Sequence, residues 1–432
     1  MLRPTLALAL ALLLLPSVAL AQLPPEPDGD DDPTSASTRP FPTRARWERV
    51  GRSRAALRRV CDLTALGGSL YAAHAYTPLG SDGATVTRYT PGAREPFTVA
   101  FDWNRPGQPR AGGGGGQGFL RVHAIGGRLF VPDADPPYAG LGLVDPGAEG
   151  YVFVSDPNGV FAPPRGARLR PPGPPDAAGR AGAGVLPRAY HVIDVVRWRG
   201  MTLASTGSVP PRERAWRGPS PGALHVADER LARWTYAADY PRPYRAGVWR
   251  LTFMVRYRGR LLAGIQDYDG REPNDFVVVV PPAPGERLSQ SNLSPRRVSA
   301  LGGALTLRWY VDGGALYWIT VDRDRRARLR VTDDGERWRV IALPLEAGPP
   351  TDILRWRGSL VVLTAGGLYR LHPDGTLGLV AAAPTWRSRG GQRSHFELDD
   401  VFCAAPLGAL GDELYAGSQR DGSLWRLSSV DP

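Results

Sequence analysis

The stretch Leu66-Gly67-Gly68-Ser69-Leu70-Tyr71 decides the fold, because variants of it recur along the chain. Each variant places a short turn, usually with glycine, between two apolar runs. The other six are Ile125-Gly126-Gly127-Arg128-Leu129-Phe130, Trp198-Arg199-Gly200-Met201-Thr202-Leu203, Tyr257-Arg258-Gly259-Arg260-Leu261-Leu262, Val311-Asp312-Gly313-Gly314-Ala315-Leu316-Tyr317, Trp356-Arg357-Gly358-Ser359-Leu360-Val361 and Leu410-Gly411-Asp412-Glu413-Leu414-Tyr415. Their second turn residues fall at positions 68, 127, 200, 259, 314, 358 and 412. Short strands around a glycine turn, repeated at such intervals, indicate a β-propeller or another repeat array.

The number of turns predicts seven repeat units. Each unit has an apolar strand, the turn and a second strand, followed by a third strand and an irregular fourth. We therefore expect an all-β fold, a seven-bladed β-propeller of four-stranded antiparallel blades. The last unit lacks a fourth strand before Pro432, whereas Arg46-Trp47-Glu48-Arg49-Val50 has the pattern of one. An N-terminal strand that completes the last blade would close the ring and pair otherwise exposed edges.

The chain begins with a predicted export signal. Residues 1–21 combine Arg3, a Leu/Ala run over residues 6–15 and Ala19-Leu20-Ala21 before Gln22, which is typical of a signal peptide cleaved after Ala21. Residues 22–45 are rich in Pro, Asp, Ser and Thr and are expected to form a disordered linker. Residues 46–432 are expected to form the propeller domain. We expect a secreted or periplasmic protein with no membrane span, because no later segment is apolar enough to cross a membrane.

One turn resembles a motif of a known propeller family. Val331-Thr332-Asp333-Asp334-Gly335-Glu336-Arg337-Trp338 is similar to the Asp-box of sialidase-like propellers, with Asp333, Gly335 and Trp338 at the matching positions. Val331 and Arg337 depart from that motif. The Gly-Gly-x-Leu-Tyr turns also resemble kelch-type blades. The resemblance implies architecture only, because an Asp-box is a structural turn.

Charge does not indicate a nucleic-acid partner. The net charge is +11, but all 53 basic residues are arginine and they are scattered along the chain. Arginine without lysine, amid abundant Ala, Gly and Pro, is typical of a GC-rich genome. The scatter does not indicate a localised basic surface for nucleic acid. We therefore expect no nucleic-acid partner, and binding to an acidic glycan or lipid headgroup stays open. We also expect the protein to be a monomer.

The two cysteines are predicted to form a disulfide. Cys61 lies on the first strand of the first unit, and Cys403 precedes the turn of the last. Ring closure makes these units neighbours, and an exported protein can form the bond. A disulfide needs Cα atoms within about 7 Å, whereas packed sheets are about 10 Å apart. The bond is therefore expected near the centre of the ring, where blades converge.

Six side chains are candidates for a ligand site in the central channel. Five stand six residues before a second turn residue: Asp62, Arg121, Asp194, Arg308 and Asp352. The sixth, His123, follows Arg121 by two residues and shares its strand face. Converging carboxylates could bind a cation or act as acid and base on a glycosidic bond. The alternative is that they hydrogen-bond neighbouring blades.

The loop that contains Asp267, Asp269 and Asp275 is a candidate calcium site, because alternating acids with a glycine can surround a hard cation. The alternative is a polar hairpin loop that needs no metal. No other cofactor is indicated. The sequence lacks a Gly-x-Ser-x-Gly nucleophile turn, a His-Glu-x-x-His motif and a Cys-x-x-Cys motif.

These observations favour an exported, non-catalytic propeller that binds a protein or a saccharide, as a binding or scaffolding module of a bacterial envelope or secretome. The alternative is a carbohydrate-active enzyme, a glycoside hydrolase or lyase, with its acids at the channel mouth. Two acids facing one pocket would favour the enzyme. Acids engaged in hydrogen bonds between blades would favour the binding module.

Overall fold

The computed structural model describes residues 39–53, 57–75, 84–103, 118–134, 138–139, 143–144, 150–161, 183–189, 191–207, 222–231, 233–241, 249–267 and 270–430. The expected signal peptide (residues 1–21), most of the expected linker (residues 22–45) and the calcium candidate Asp269 lie outside the described residues. The described chain is all-β, a propeller-like arrangement of five four-stranded sheets and one eight-stranded sheet.

The four-stranded sheets are named in chain order. Sheet A contains β2 (Arg59–Leu66), β3 (Ser69–Ala75), β4 (Thr85–Tyr89) and β5 (Phe97–Asp102); sheet B contains β6 (His123–Ile125), β7 (Arg128–Pro132), β10 (Gly150–Val154) and β11 (Ala183–Leu186). Sheet D contains β20 (Leu305–Asp312), β21 (Ala315–Val321), β22 (Ala327–Thr332) and β23 (Arg339–Ile341); sheet E contains β24 (Pro350–Trp356), β25 (Ser359–Thr364), β26 (Gly367–Leu371) and β27 (Leu377–Ala382). Sheet F contains β1 (Ala45–Gly51), β30 (Leu407–Leu410), β31 (Glu413–Gly417) and β32 (Leu424–Ser429).

Sheet C contains two groups of four consecutive strands. The first is β12 (His191–Trp198), β13 (Met201–Gly207), β14 (Ala223–Ala227) and β15 (Trp234–Asp239); the second is β16 (Trp249–Tyr257), β17 (Arg260–Asp267), β18 (Phe276–Val279) and β19 (Leu293–Arg296). The groups join where Gly207 of β13 pairs with Arg250 of β16. Outside the sheets lie the pairs β8 (Tyr138–Ala139) with β9 (Leu143–Val144) and β28 (Thr385–Ser388) with β29 (Gly391–Ser394), and the 3₁₀ helices Gln290–Asn292 and Leu345–Ala347.

The first strands of successive groups surround a central channel. These strands are β2, β6, β12, β16, β20, β24 and β30; each contacts the next, and β30 contacts β2. Each is joined to its second strand by one of the turns that the sequence repeats. Glycine is favoured there because the turn residues take positive φ, for example 55° at Gly67 and 75° at Gly68, although Arg199, Arg258 and Arg357 take the first turn position in three of the turns.

Adjacent turns are connected by aromatic and arginine side chains. Trp356 Nε1 and Arg357 Nε donate to the carbonyl oxygen of Asp412 in the next turn, at 3.1 and 3.2 Å. Trp198 and Arg199 make the same contacts with Gly259, at 3.3 and 3.2 Å. The Trp-Arg-Gly sequence therefore forms the turn and also ties it to the neighbouring unit.

The N-terminal strand β1 pairs antiparallel with β32, from Ala45 opposite Ser429 to Arg49 opposite Trp425. The described chain also packs ahead of this strand. Phe41, which the sequence assigns to the linker, lies against Trp356 with ring centroids 5.5 Å apart. Burial of the apolar Phe41 ring against Trp356 stabilises this packing through the hydrophobic effect.

The Cys61–Cys403 disulfide is confirmed, with Cα atoms 4.5 Å apart. Both residues belong to an apolar cluster at the centre of the ring, with Leu120, Ile193 and Phe253. Their position at the centre explains why the bond forms between units whose sheets are otherwise too far apart.

The sequence placed Asp333 at the aspartate position of the Asp-box-like turn after β22, and the structure corrects this. The carboxylate that accepts the turn N–H groups of Glu336 and Arg337, both at 2.8 Å, is that of Asp334, one residue later. The shift occurs because the hydroxyl group that accepts the N–H of Gly335 belongs to Thr332, at 2.9 Å, and not to position 331.

Candidate functional site

A cavity of about 330 Å³ lies in the central channel. It extends from the middle of the first strands towards the turn at Gly313. The structure brings all six predicted channel residues together in its wall: Asp62, Arg121, His123, Asp194, Arg308 and Asp352.

A β-bulge precedes four of these residues. The pairing with the second strand shifts between Val60 and Asp62, and the same shift occurs before Asp194, Arg308 and Asp352. A bulge re-aims the side chain that follows it. In two of the four bulges the extra residue, Cys61 or Ile193, joins the apolar cluster around the disulfide, and in all four the next residue lines the cavity.

Each acid is tied to the following unit. One oxygen of every carboxylate accepts a backbone N–H from the first-strand region of the next unit. The three pairs are Asp62 Oδ2 with Val122 N at 3.0 Å, Asp194 Oδ2 with Met254 N at 2.7 Å and Asp352 Oδ2 with Leu407 N at 2.7 Å. The acids therefore hold neighbouring units together, which is the alternative that the sequence left open.

Arg308 connects two of the acids. Its Nη1 donates to Asp62 Oδ1 at 3.0 Å, and its Nε lies 3.1 Å from Asp352 Oδ1. Its Nη2 donates to the carbonyl oxygen of Cys61 at 3.4 Å. The N–H at Nε is not aligned for a hydrogen bond, so the contact with Asp352 is an ion pair only.

Arg121 crosses the channel. Its Nη1 donates to Asp62 Oδ1 at 3.4 Å, and its Nη2 donates to the carbonyl oxygen of Leu307 in sheet D at 3.2 Å. The guanidinium lies 3.9 Å from the centre of the Phe253 ring. Phe253 stands six residues before the second turn residue of its unit, the position that Asp62 has in the first unit. The Arg121 cation therefore stacks on an aromatic ring at a position where five other units carry a charged side chain.

His123 pairs with Asp194 from the neighbouring unit. Its Nε2 lies 2.6 Å from Asp194 Oδ1, in the cavity wall. His191, nearer to Asp194 in sequence, donates to the carbonyl oxygen of Ala134 and accepts from Arg250, both at 2.6 Å.

The rim contains charged residues that the sequence did not single out. Arg355 contacts both oxygens of Asp312, through Nε and through Nη2 at 2.5 Å. Its backbone N–H donates to the hydroxyl oxygen of Tyr310 at 2.8 Å. The Arg355 side chain is 38% exposed. The rim therefore carries a solvent-facing but paired cation.

Towards the opposite end of the channel, Leu120, Ile193 and Phe253 pack around the disulfide, and Phe402 packs on this cluster. A smaller cavity of about 40 Å³ lies beside it, and its wall includes the charged residues Arg59, Arg250 and Asp400.

The described calcium candidates are engaged with donors of the protein. Asp275 accepts the N–H groups of Val298 and Ser299 at 2.7 Å each, and Asp267 Oδ2 accepts that of Glu272 at 2.7 Å. Within the described ranges, no group of three or more His, Cys, Asp or Glu side chains is placed to hold a metal ion. These contacts correspond to the polar-loop alternative.

Burial alters the acidity of two cavity groups. It raises the pKa of Asp352 to about 6, against the opposing effect of Arg308. It also raises the pKa of Asp62, although Arg308 and His123 act in the opposite direction. Asp62 and Asp352 therefore take up a proton more readily than a carboxyl group in water.

Replacing Asp352 by Asn is expected to change the pH dependence of stability. Between about pH 4 and 6 the folded protein retains a proton on Asp352 that the unfolded chain has released, so this contribution is present below pH 4 and is lost as the pH rises through 6. The free energy of unfolding of wild type relative to Asp352→Asn should fall by about 2 kcal/mol from pH 4 to 7. His74 and His225, whose pKa values burial lowers to about 4, act oppositely in both proteins and cancel in the difference. Urea unfolding at several pH values measures this difference, and parallel profiles would contradict it.

The sequence contained a signal for some of the cavity residues that were not predicted. Thr64, Val255, Tyr310 and Leu354 stand four residues before the second turn residue, the position that identified His123. Extending that register to every unit would have found them. Asp312 and Arg355 stand at different distances from the second turn residues of their units, so one fixed distance does not select both. Their pairing depends on the contact between sheets D and E.

No family model and no curated protein matches this chain. Among solved structures, virginiamycin B lyase from Staphylococcus aureus is similar, with a TM-score of 0.51 and 8% identity over 89% of this chain and 100% of the other. At that identity the similarity shows the fold alone. The chain has a β-propeller-like architecture.

Two further structures are more distant. A polysaccharide lyase of family PL25, an ulvan lyase, has a TM-score of 0.46 and 10% identity over 88% of this chain and 98% of the other. The periplasmic gluconolactonase of Pseudomonas aeruginosa has a TM-score of 0.43 and 13% identity over 74% and 83%. Neither carries an argument about function, and no family match confirms the resemblance to Asp-box or kelch propellers.

In the part of the chain that the structure describes, no helix is long and apolar enough to cross a membrane. The buried Cys61–Cys403 disulfide is compatible with an extracellular or periplasmic protein.

Proposed function

We propose that the chain is an exported, non-catalytic seven-bladed β-propeller that binds a ligand in its channel cavity, as a binding or scaffolding module of a bacterial envelope or secretome. Counting the two four-strand groups of sheet C separately gives seven blades, and β1 completes the last of them. The signal-peptide pattern of residues 1–21 and the disulfide support export. The ligand is a small molecule or a short segment of a partner protein.

The observation that carries this proposal is the use of the three cavity acids. Asp62, Asp194 and Asp352 each accept a backbone N–H of the next unit, at 3.0, 2.7 and 2.7 Å. A carboxylate fixed in this way keeps the cavity walls in place, and moving it would break the contact between blades. Rigid walls favour binding, because little conformational entropy is lost when the ligand enters.

A melting-temperature screen tests the proposal. The protein is mixed with neutral saccharides, acidic saccharides and short peptides, and a ligand at a hundred times its Kd should stabilise the folded state by about 2.7 kcal/mol. Thr64→Trp, which places an indole in the cavity wall, should abolish the shift. Thr98→Trp, on the exposed outer strand of the same sheet, is the matched control. A shift that persists in Thr64→Trp would count against the cavity as the site.

A second candidate is a carbohydrate-active enzyme, a glycoside hydrolase or lyase. It is favoured by the His123–Asp194 contact of 2.6 Å in the cavity wall and by Asp352, whose pKa of about 6 suits a general acid. The enzyme would release reducing ends or unsaturated products, and His123→Gln and Asp352→Asn would remove this activity while Thr98→Trp would keep it. Such a turnover result would replace the binding proposal.

A further inference from the structure

We propose that the cavity binds a neutral, hydroxyl-rich ligand, a neutral saccharide of one or two rings, in preference to an acidic or an amino sugar. The inference rests on the proposed binding function and names its ligand class.

The first reason is that the cations of the cavity are already paired. Arg308 lies between Asp62 and Asp352, and Arg121 also contacts Asp62. At the rim, Arg355 holds both oxygens of Asp312. An anionic ligand would have to compete with these carboxylates for guanidinium groups, and breaking a buried ion pair leaves a charge uncompensated.

The second reason is that hydrogen-bonding capacity remains on both the acids and the guanidinium groups of the cavity, where the Nε atoms of Arg121 and Arg308 have no hydrogen-bond partner in the described structure. A carboxylate offers about four acceptor positions. Within the described chain, Asp62 receives contacts from Arg121, Arg308 and Val122 N. Asp194 and Asp352 likewise receive three each: His123, Val195 N and Met254 N for the first, and Ile353 N, Leu407 N and Arg308 for the second. About one acceptor position therefore remains on each acid.

Hydroxyl groups fit this remaining capacity because each one both donates and accepts a hydrogen bond without bringing a charge. The carboxylates of the cavity are opposed by three guanidinium groups and by the His123–Asp194 contact, so no large negative potential remains to attract an ammonium group. A ligand with several O–H donors satisfies the acids and leaves the ion pairs intact.

The third reason is the mixed character of the wall. Leu63, Val255 and Leu354 present apolar surface beside the acids. A sugar ring has C–H faces as well as hydroxyl groups and can contact both kinds of surface. The volume of about 330 Å³ lies at the small end of the usual range for ligand pockets, which suits one or two rings.

Calorimetric titration with matched sugars tests this inference. Neutral mono- and disaccharides of glucose, galactose, mannose and xylose are compared with glucuronate, galacturonate, glucosamine and galactosamine at neutral pH. We expect at least one neutral sugar to bind, and its charged counterpart to bind more weakly by about tenfold or more. Thr64→Trp should abolish binding, and Thr98→Trp should not.

Asp312→Asn gives an independent test, because it releases the rim cation Arg355 from its partner. It should shift the preference towards the acidic counterpart, so that the ratio of acidic-sugar to neutral-sugar affinity rises by about threefold.

Three outcomes would overturn the inference. Tighter binding of an acidic or amino sugar to wild type, lost in Thr64→Trp, would refute the neutral class and leave cavity binding in place. Neutral-sugar binding that persists in Thr64→Trp would refute the location. No sugar binding would refute the inference, and a peptide shift sensitive to Thr64→Trp in the melting screen would still support the proposed function.

Discussion

Replacing both Cys61 and Cys403 by alanine is expected to lower the free energy of unfolding by about 3–5 kcal/mol. The bond joins residues 342 positions apart. A crosslink stabilises mainly by restricting the unfolded chain, and this effect grows with the length of the closed loop. Here the loop contains almost the whole ring, so an unfolded chain without the bond gains a large amount of conformational entropy.

Urea unfolding of three samples measures this effect: oxidised wild type, reduced wild type and the double variant. Reduced wild type keeps both sulfur atoms in the apolar cluster, so its difference from the double variant reports the void that alanine leaves. Equal midpoints for oxidised and reduced wild type would show that the bond does not stabilise the ring.

Replacing Asp62 by alanine is expected to cost about 3–5 kcal/mol of the free energy of unfolding. The substitution leaves Arg121 without its carboxylate and leaves Arg308 with Asp352 alone. Arg121 is buried, so water cannot replace the lost partner. The N–H of Val122 loses its acceptor as well.

Two variants separate these causes. Asp62→Asn keeps an acceptor for Val122 N–H and removes the charge, so it should be more stable than Asp62→Ala. Asp399→Ala removes one carboxylate from an exposed contact with Arg393 and should change the midpoint little. Chemical denaturation measures all three, and an Asp62→Ala protein as stable as Asp399→Ala would contradict a structural role for the buried pairs.

The channel site could be predicted from the sequence because two regularities place it. The repeated turns mark where each first strand ends, and a fixed distance from the turn selects one side chain in every unit. That distance identified Asp62, Asp194 and Asp352 as one layer, and a further step of two residues identified His123. The same ring order brought Cys61 and Cys403 together.

The partners of these side chains could not be predicted in the same way. His123 and Asp194 are 71 positions apart, and Arg355 and Asp312 are 43 apart. Their contacts depend on how adjacent sheets are rotated and on the bulges before Asp194 and its equivalents, which carry no sequence signal. The Asp333 assignment was wrong for a local reason, since a neighbouring hydroxyl group shifted the turn by one residue.

Non-catalytic binding in the channel cavity is tested by equilibrium dialysis against the neutral saccharide that shifts the melting temperature, with chemical analysis of the saccharide recovered after a long incubation. Wild type should retain the saccharide, Thr64→Trp should not, and the recovered saccharide should be unchanged. Retention by Thr64→Trp would contradict the cavity as the binding site. A shortened or unsaturated product would contradict the non-catalytic role and identify the His123–Asp194 pair and Asp352 as candidates for the base and the acid.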